Sequence, residues 1–175
     1  MIWATLPASP NGTVAFVRQP EAAGQPHIRA ARPDEAAALI ELQRRASLTA
    51  EDTRADLLAH PEVIAIPADA FTDGRVRVAV EDGRHLGFHV VLEVGRGACE
   101  LDGLFVEPGD WKKGTGRALI EDAAAWARAH GAERIEVTAN PNALGFYQRL
   151  GFTGADVVAT QFGPGYRMFL DISGG

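Results

Sequence analysis

Between Val106 and Leu119 the chain reads Val-Glu-Pro-Gly-Asp-Trp-Lys-Lys-Gly-Thr-Gly-Arg-Ala-Leu, an apolar run that turns through glycine and lysine into an alanine-rich helix. That order builds an anion site. N–H groups at a helix start have no intrahelical acceptor, and glycine lets a phosphate come close to them. Lys112, Lys113 and Arg117 add positive charge beside Gly114, Thr115 and Gly116. Two common phosphate loops do not fit. Gly109 and Gly114 have the spacing of a nucleotide P-loop, but Thr115 stands where that loop has lysine. Gly114-Thr-Gly116 supplies two glycines of a dinucleotide fingerprint, and Leu119 occupies the third position. The remaining ligand is a diphosphate held on a different scaffold.

The elements around this loop follow from pattern and punctuation. Ile28–Ala31 reads as a short strand, and Pro33-Asp34-Glu35 favours the start of a helix carrying Ala36, Leu39, Ile40 and Leu42. Thr49-Ala-Glu-Asp52 has capping-box spacing and predicts a second short helix that ends near Leu58, before Pro61. Glu62–Phe71 is apolar but broken by Pro67 and reads as a packed loop. Arg75–Val80, the Asp82-Gly83 turn and His85–Glu93 form a hairpin, and Gly95-Arg-Gly97 turns into a third strand, Ala98–Val106. After the loop, Leu119, Ile120, Ala123, Trp126 and Ala127 line one side of a helix that closes at Gly131. Arg134–Ala139 is a strand parallel to the previous one, because a helix intervenes. Asn140-Pro141 caps a short helix running to Leu150, and Gly151 ends it. Strands over Val157–Thr160 and Tyr166–Ile172, separated by Gly163-Pro164-Gly165, complete the chain.

Composition bounds the function. The 175 residues suit one domain over residues 28–175. Residues 1–27, with Pro7, Pro10, Pro20, Pro26 and Asn11-Gly12, form an N-terminal extension with at most a peripheral strand or hairpin. A net charge of −6 lacks the basic footprint of a nucleic-acid binder, so the three cations beside the glycines stand out. One cysteine, Cys99, excludes an intrachain disulfide and a cysteine metal cluster, and fits a reducing cytoplasm. No export signal or membrane span is read.

A second motif decides among ligands. Asn140-Pro-Asn-Ala-Leu-Gly-Phe-Tyr-Gln-Arg-Leu-Gly-Phe152 follows the glycine loop by one helix and one strand. The pair closely resembles the signature of the GCN5-related N-acetyltransferase (GNAT) superfamily. The resemblance runs from about Ile28 to the C-terminus in element order and is sharp from Glu100 to Phe152. It implies an α+β (α/β) fold with a central mixed, mostly antiparallel sheet flanked by helices. It further implies an N-acetyltransferase, with acetyl-CoA as acyl donor and a primary amine, on a small molecule or a protein, as acceptor. Neither nucleic acid nor membrane is an expected partner, and a homodimer is compatible with the pattern.

Residue by residue, the family's diphosphate turn falls on Trp111, Lys112, Lys113, Gly114, Thr115 and Gly116, followed by Arg117. Trp111 replaces the family's usual Arg or Gln, and Lys112 and Lys113 can supply the missing charge. Leu104, Phe105 and Val106 match the strand that pairs with the pantetheine arm and whose backbone N–H polarises the thioester carbonyl. Asn140 matches a pantetheine contact. Tyr147 matches the tyrosine that lies near the coenzyme sulfur and protonates the departing thiolate. Glu100 is the candidate general base, with Asp102 two residues on and able to share its face, because an alkyl ammonium must lose a proton before it attacks. The alternative is a non-catalytic acyl-CoA-binding sensor, suggested by Trp111. Cys99 reads as a small buried hydrophobe. The histidines at 27, 60, 85, 89 and 130 show no helical ligand pair, so no metal site is expected.

Overall fold

In a computed structural model, the described residues are 26–61, 64–95, 97–161 and 163–174. Most of the expected N-terminal strand or hairpin lies outside them. Seven strands form one sheet in the order β1-β2-β3-β4-β5-β7-β6. They are β1 (His27–Ala30), β2 (Val76–Glu81), β3 (Arg84–Gly95), β4 (Ala98–Val106), β5 (Arg134–Ala139), β6 (Thr153–Thr160) and β7 (Gly163–Asp171). All neighbours are antiparallel except β4 and β5, which a helix connects. The helices are α1 (Ala36–Ser47), α2 (Glu51–Ala59), α3 (Ala68–Thr72), α4 (Thr115–Ala129) and α5 (Leu144–Arg149).

The sheet separates two cores. On one face Ile120, Ala123 and Ala127 of α4 pack on Val91, Cys99, Leu101, Ile135, Val137 and Met168, and Tyr147 and Phe152 extend this layer. On the other face Leu39 and Leu42 of α1, with Phe71, cover Val76, Val78, Phe88 and Val90. This second cover ends at the middle of the sheet. Beyond it Phe169 on β7 is a large hydrophobic side chain left exposed.

A buried carboxylate ties the first strand to the rest. Glu35, 5% exposed, accepts from Arg29 Nη2 at 2.7 Å and from the Arg32 backbone at 2.8 Å, and His85 Nε2 lies 2.9 Å from it. The Arg29 guanidinium, more than any other partner, holds its carboxyl far below the usual carboxylate range.

Several local expectations hold and several are corrected. Asp82 and Gly83 both take positive φ, 49° and 77°, as a two-residue hairpin turn requires. Thr49 does not cap α2. Its hydroxyl donates to Ala46 O at 2.6 Å, at the end of α1, and Ala50 is the N-cap without a side-chain bond. The capping-box spacing misleads because the same hydroxyl can bond backward to a carbonyl. Within the expected loop 62–71, Pro67 opens the helix α3 instead of interrupting structure, as proline does when it precedes a first turn. Gly163-Pro-Gly165 lies inside β7 and not between strands. There Gly165 packs where a Cβ would come within 2.8 Å of the Thr138 side chain.

Candidate active site

The centre of the sheet is opened by a fault in its register. Val90 pairs with Gly103 while its neighbour Val91 pairs with Leu101, so Asp102 is an extra residue in β4, a β-bulge. A bulge bends its strand and increases local twist. β4 and β5 share three parallel pairs, Ala98 with Arg134, Cys99 with Ile135 and Glu100 with Glu136, and no more. Past Glu100, β4 continues on β3 up to Val106 and β5 continues on β7 up to Ala139. The two strands therefore part, and their facing edges are left without a ladder.

What β4 offers to that opening follows from antiparallel alternation. The Glu107 N–H donates to Leu86 O at 2.8 Å, making that pair a hydrogen-bonded one. Val106 and Leu104 then turn their N–H and C=O away from β3, into the opening, while Phe105 turns its own toward Phe88. Trp111 supports this assignment, since its Nε1 donates to Val106 O at 2.8 Å. Leu104 thus presents a free backbone donor and acceptor, and Val106 a free donor. Phe105 contributes no backbone group, and its ring packs on Phe88 with centroids 5.3 Å apart.

The glycine turn closes the upper end of this opening. The chain leaves β4 through a 3-10 turn, Pro108–Asp110, and curls back with Lys112 at φ 64° and Gly114 at φ 95°. A positive φ is uncommon at lysine, and here it occurs at the helix mouth. Gly114 is the N-cap of α4 and gives no side-chain cap, and the first helical bond is Ala118 N–H to Gly114 O at 3.0 Å. The N–H groups of Thr115, Gly116 and Arg117 are left without intrahelical acceptors. Together with the helix dipole, such a start suits an anion, the chemistry the sequence leads one to expect there. Gly116 has a second role. A Cβ there would stand 3.1 Å from the Phe146 ring, so glycine lets α5 pack against the first turn of α4.

Charge around the turn is partly spent. Buried Asp110 accepts from Lys113 Nζ at 2.9 Å and from Arg84 Nη1 at 3.3 Å. Lys113, ahead of Arg84, holds the Asp110 carboxyl below its usual range. Lys112 and Arg117 are exposed, with Arg117 3.9 Å from Glu121. Asp110 therefore tethers Lys113, while both lysines of the turn are exposed.

On the far side, Asn140 caps the 3-10 turn Pro141–Ala143, its Oδ1 accepting from Ala143 N at 2.9 Å. The residue is exposed at that cap. The cap sets α5 at the angle that buries Tyr147 between Phe146 and Phe152, each with centroids 5.1 Å away. Burial pushes the Tyr147 hydroxyl well above the ordinary phenol range. A phenol near 10 is already a weaker acid than a thiol near 8.5. Tyr147 therefore keeps its proton. Outright transfer to a free thiolate is uphill.

The two acids of β4 have different surroundings. Glu100 Oε1 accepts from Arg167 Nη1 at 3.0 Å, and Arg167 also donates to Thr138 Oγ1 at 3.0 Å and to Glu136 Oε2 at 2.7 Å. Asp102, at the bulge, is exposed, and its carboxyl is raised, first by desolvation and then by the charge of Glu100. Arg167 carries no local motif, although a lone arginine in the apolar run Tyr166–Leu170 is a visible anomaly.

A second polar set lies under α4. His89, fully buried on β3, places Nε2 2.9 Å from Asp122 Oδ2, and Arg77 Nη2 donates to Asp122 Oδ1 at 2.9 Å. His89 Nδ1 is buried without a partner among the described residues.

Residues 37–152 match the Acetyltransferase (GNAT) family, and the chain belongs to that family. Its mixed, mostly antiparallel sheet between helices is that family's fold. No curated protein matches the chain in sequence. Among solved structures it is similar to a PaiA N-acetyltransferase from Thermoplasma acidophilum in complex with coenzyme A, with 18% identity and a TM-score of 0.69 over 85% of this chain and 99% of that one. It is also similar to a GNAT family acetyltransferase from Brucella melitensis in complex with acetyl-CoA, with 27% identity and a TM-score of 0.58 over 84% and 88%. A third is the ribosomal-protein-S18-alanine N-acetyltransferase from Escherichia coli, with 19% identity and a TM-score of 0.61 over 86% and 96%.

Proposed function

We propose that this chain transfers an acetyl group from acetyl-CoA to a primary amine by direct attack. The observation that carries this reading is the alignment of two sites: an uncapped helix start with a glycine turn, and a parted pair of strands whose free edge leads to it. The diphosphate sits on the N–H groups of Thr115, Gly116 and Arg117, with Lys112 and Lys113 beside it. The pantetheine arm lies along β4 like an added strand, on Leu104 and Val106. Trp111 fixes the turn to the end of that strand, and Asn140 borders the arm from the other side.

The chemistry uses groups at the opening. A carboxylate of β4, Glu100 or Asp102, takes a proton from the acceptor ammonium. The amine nitrogen then attacks the thioester carbon, a C–N bond forms, and the carbonyl oxygen gains charge that the Leu104 N–H stabilises. The C–S bond breaks with Tyr147 donating a hydrogen bond to the departing sulfur, and the extra proton on the attached nitrogen passes to the thiolate, directly or through water. The products are the acetamide and coenzyme A.

The test is release of free thiol from acetyl-CoA over a broad panel of amines. Turnover with at least one amine class supports the reading. Binding of acetyl-CoA without turnover on any amine favours the sensor alternative that Trp111 suggests.

A further inference from the structure

Resting on that reading, we propose that Asp102 is the catalytic base and that Arg167 is the residue that assigns it, by holding Glu100 in an ion pair outside the reaction. The first argument is position. Glu100 belongs to the last pair that joins β4 to β5, so it stands where the sheet is still closed. Asp102 is the bulge residue just past that pair, at the base of the opening. Leu104, whose N–H faces the opening, lies two residues on, roughly 6.6 Å along the strand. An amine attacking a carbonyl held by Leu104 comes within reach of Asp102, directly or through one water. Glu100 stands another two residues further away.

The second argument is occupancy. The Glu100 carboxylate is bound by Arg167 at 3.0 Å, and the same guanidinium is held in place by Glu136 and Thr138. The lone pairs of that oxygen are engaged by a charged donor, and the anchored guanidinium keeps the carboxylate turned to β7. The charge that acts on Asp102 is that of Glu100 on its own strand, and Glu100 belongs to a cluster with Arg167 on β7 and Glu136 and Arg134 on β5. Arg134 Nε pairs with Glu136 at 2.8 Å, so both arginines are neutralised within the cluster. The raised carboxyl of Asp102 agrees with this division, because a base works best when its affinity for the proton approaches that of the medium.

Four variants test it, with the amine found by the thiol-release panel: Asp102→Asn, Asp102→Glu, Glu100→Gln and Arg167→Gln. Each is followed by kcat and KM against pH, and by calorimetric acetyl-CoA affinity. Asp102→Asn is expected to lower kcat by about 10²-fold or more, with the acidic limb of kcat/KM lost and acetyl-CoA affinity retained. Asp102→Glu restores part of the rate and the limb. Glu100→Gln keeps the acidic limb but moves it to lower pH, because the charge that raises Asp102 is gone. Arg167→Gln frees Glu100 beside Asp102, which moves the acidic limb to higher pH, an effect that a merely structural arginine would not produce. The proposal is overturned if Glu100→Gln abolishes the limb while Asp102→Asn leaves it, or if Arg167→Gln leaves the limb in place. A wild-type chain that binds acetyl-CoA and turns over no amine rejects the transferase reading itself, and the base assignment falls with it.

Discussion

Glu100 and Glu136 stand side by side as the last Cα pair between β4 and β5, and from that point the two strands diverge. The divergence follows from the extra residue Asp102, which bends β4 away while β3 keeps its hold on the strand up to Val106. The opening is thus built into the backbone, and the side chains that matter are those the bulge and the strand ends place at its rim.

The turn at the mouth of α4 depends on a residue in the left-handed region. Gly114 has φ 95°, and no atom stands within 4 Å of the place a Cβ would take, so the cost of a side chain there is conformational and not steric. Gly114→Ala is expected to lower stability by about 1–2 kcal/mol. Acetyl-CoA affinity should fall with it, measured by calorimetry and urea unfolding. An alanine variant with unchanged affinity would show that the turn does not hold the diphosphate.

Trp111 joins the turn to β4 through its bond to Val106 O. Trp111→Phe keeps the aromatic ring and removes that donor. Acetyl-CoA affinity is expected to fall by about 2- to 10-fold, the worth of one hydrogen bond, with kcat at saturation little changed. Unchanged affinity would assign Trp111 a packing role alone.

Tyr147 is buried against Phe146 and Phe152, so Tyr147→Phe preserves the packing and removes only the hydroxyl. Turnover should drop by about 10²-fold, the cost of losing one donor to a developing charge, while acetyl-CoA affinity holds. Equal loss of both would place the hydroxyl in binding and not in sulfur departure.

The stability of the fold should depend on pH in two windows. His89 is kept neutral by burial, which lowers its pKa in the folded chain. Below about 6.5 the unfolded chain takes up a proton that the folded chain refuses, so stability falls as pH drops through that value. Glu35 and Asp122 have lowered carboxyls, for which the loss comes only below about pH 4.5. Urea midpoints at pH 7.5, 5.5 and 4 should fall in sequence, and His89→Gln should flatten the first step. A midpoint that rises from pH 7.5 to 5.5 would contradict the assignment.

Removing the Glu35 carboxylate leaves Arg29, His85 and the Arg32 amide facing one another without their acceptor. Glu35→Ala is expected to destabilise by about 3 kcal/mol or more, the usual cost of breaking a buried pair. A change under about 1 kcal/mol by urea unfolding would show that β1 is not anchored there.

The elements nearest the motifs were legible because their signals are local. Ala98–Val106 and Arg134–Ala139 coincide with β4 and β5, and Asn140 acts as the cap its type and the following proline indicate. The bulge at Asp102 was not legible, since a register shift depends on the partner strand and leaves the apolar run unbroken. Nor was the role of Arg167, which reaches Glu100 across β5 from a position 67 residues away in sequence. The Arg77–Asp122–His89 set has the same character: three elements supply one residue each, with no spacing that joins them. Thr49 failed in the opposite way, because a local signal was present and the side chain served the preceding helix.

The most direct test of the account is a calorimetric titration with acetyl-CoA. It predicts one site per chain, weakened by Gly114→Ala and by raised salt, as a diphosphate held by N–H groups and lysine requires. No detectable binding at millimolar acetyl-CoA would contradict it.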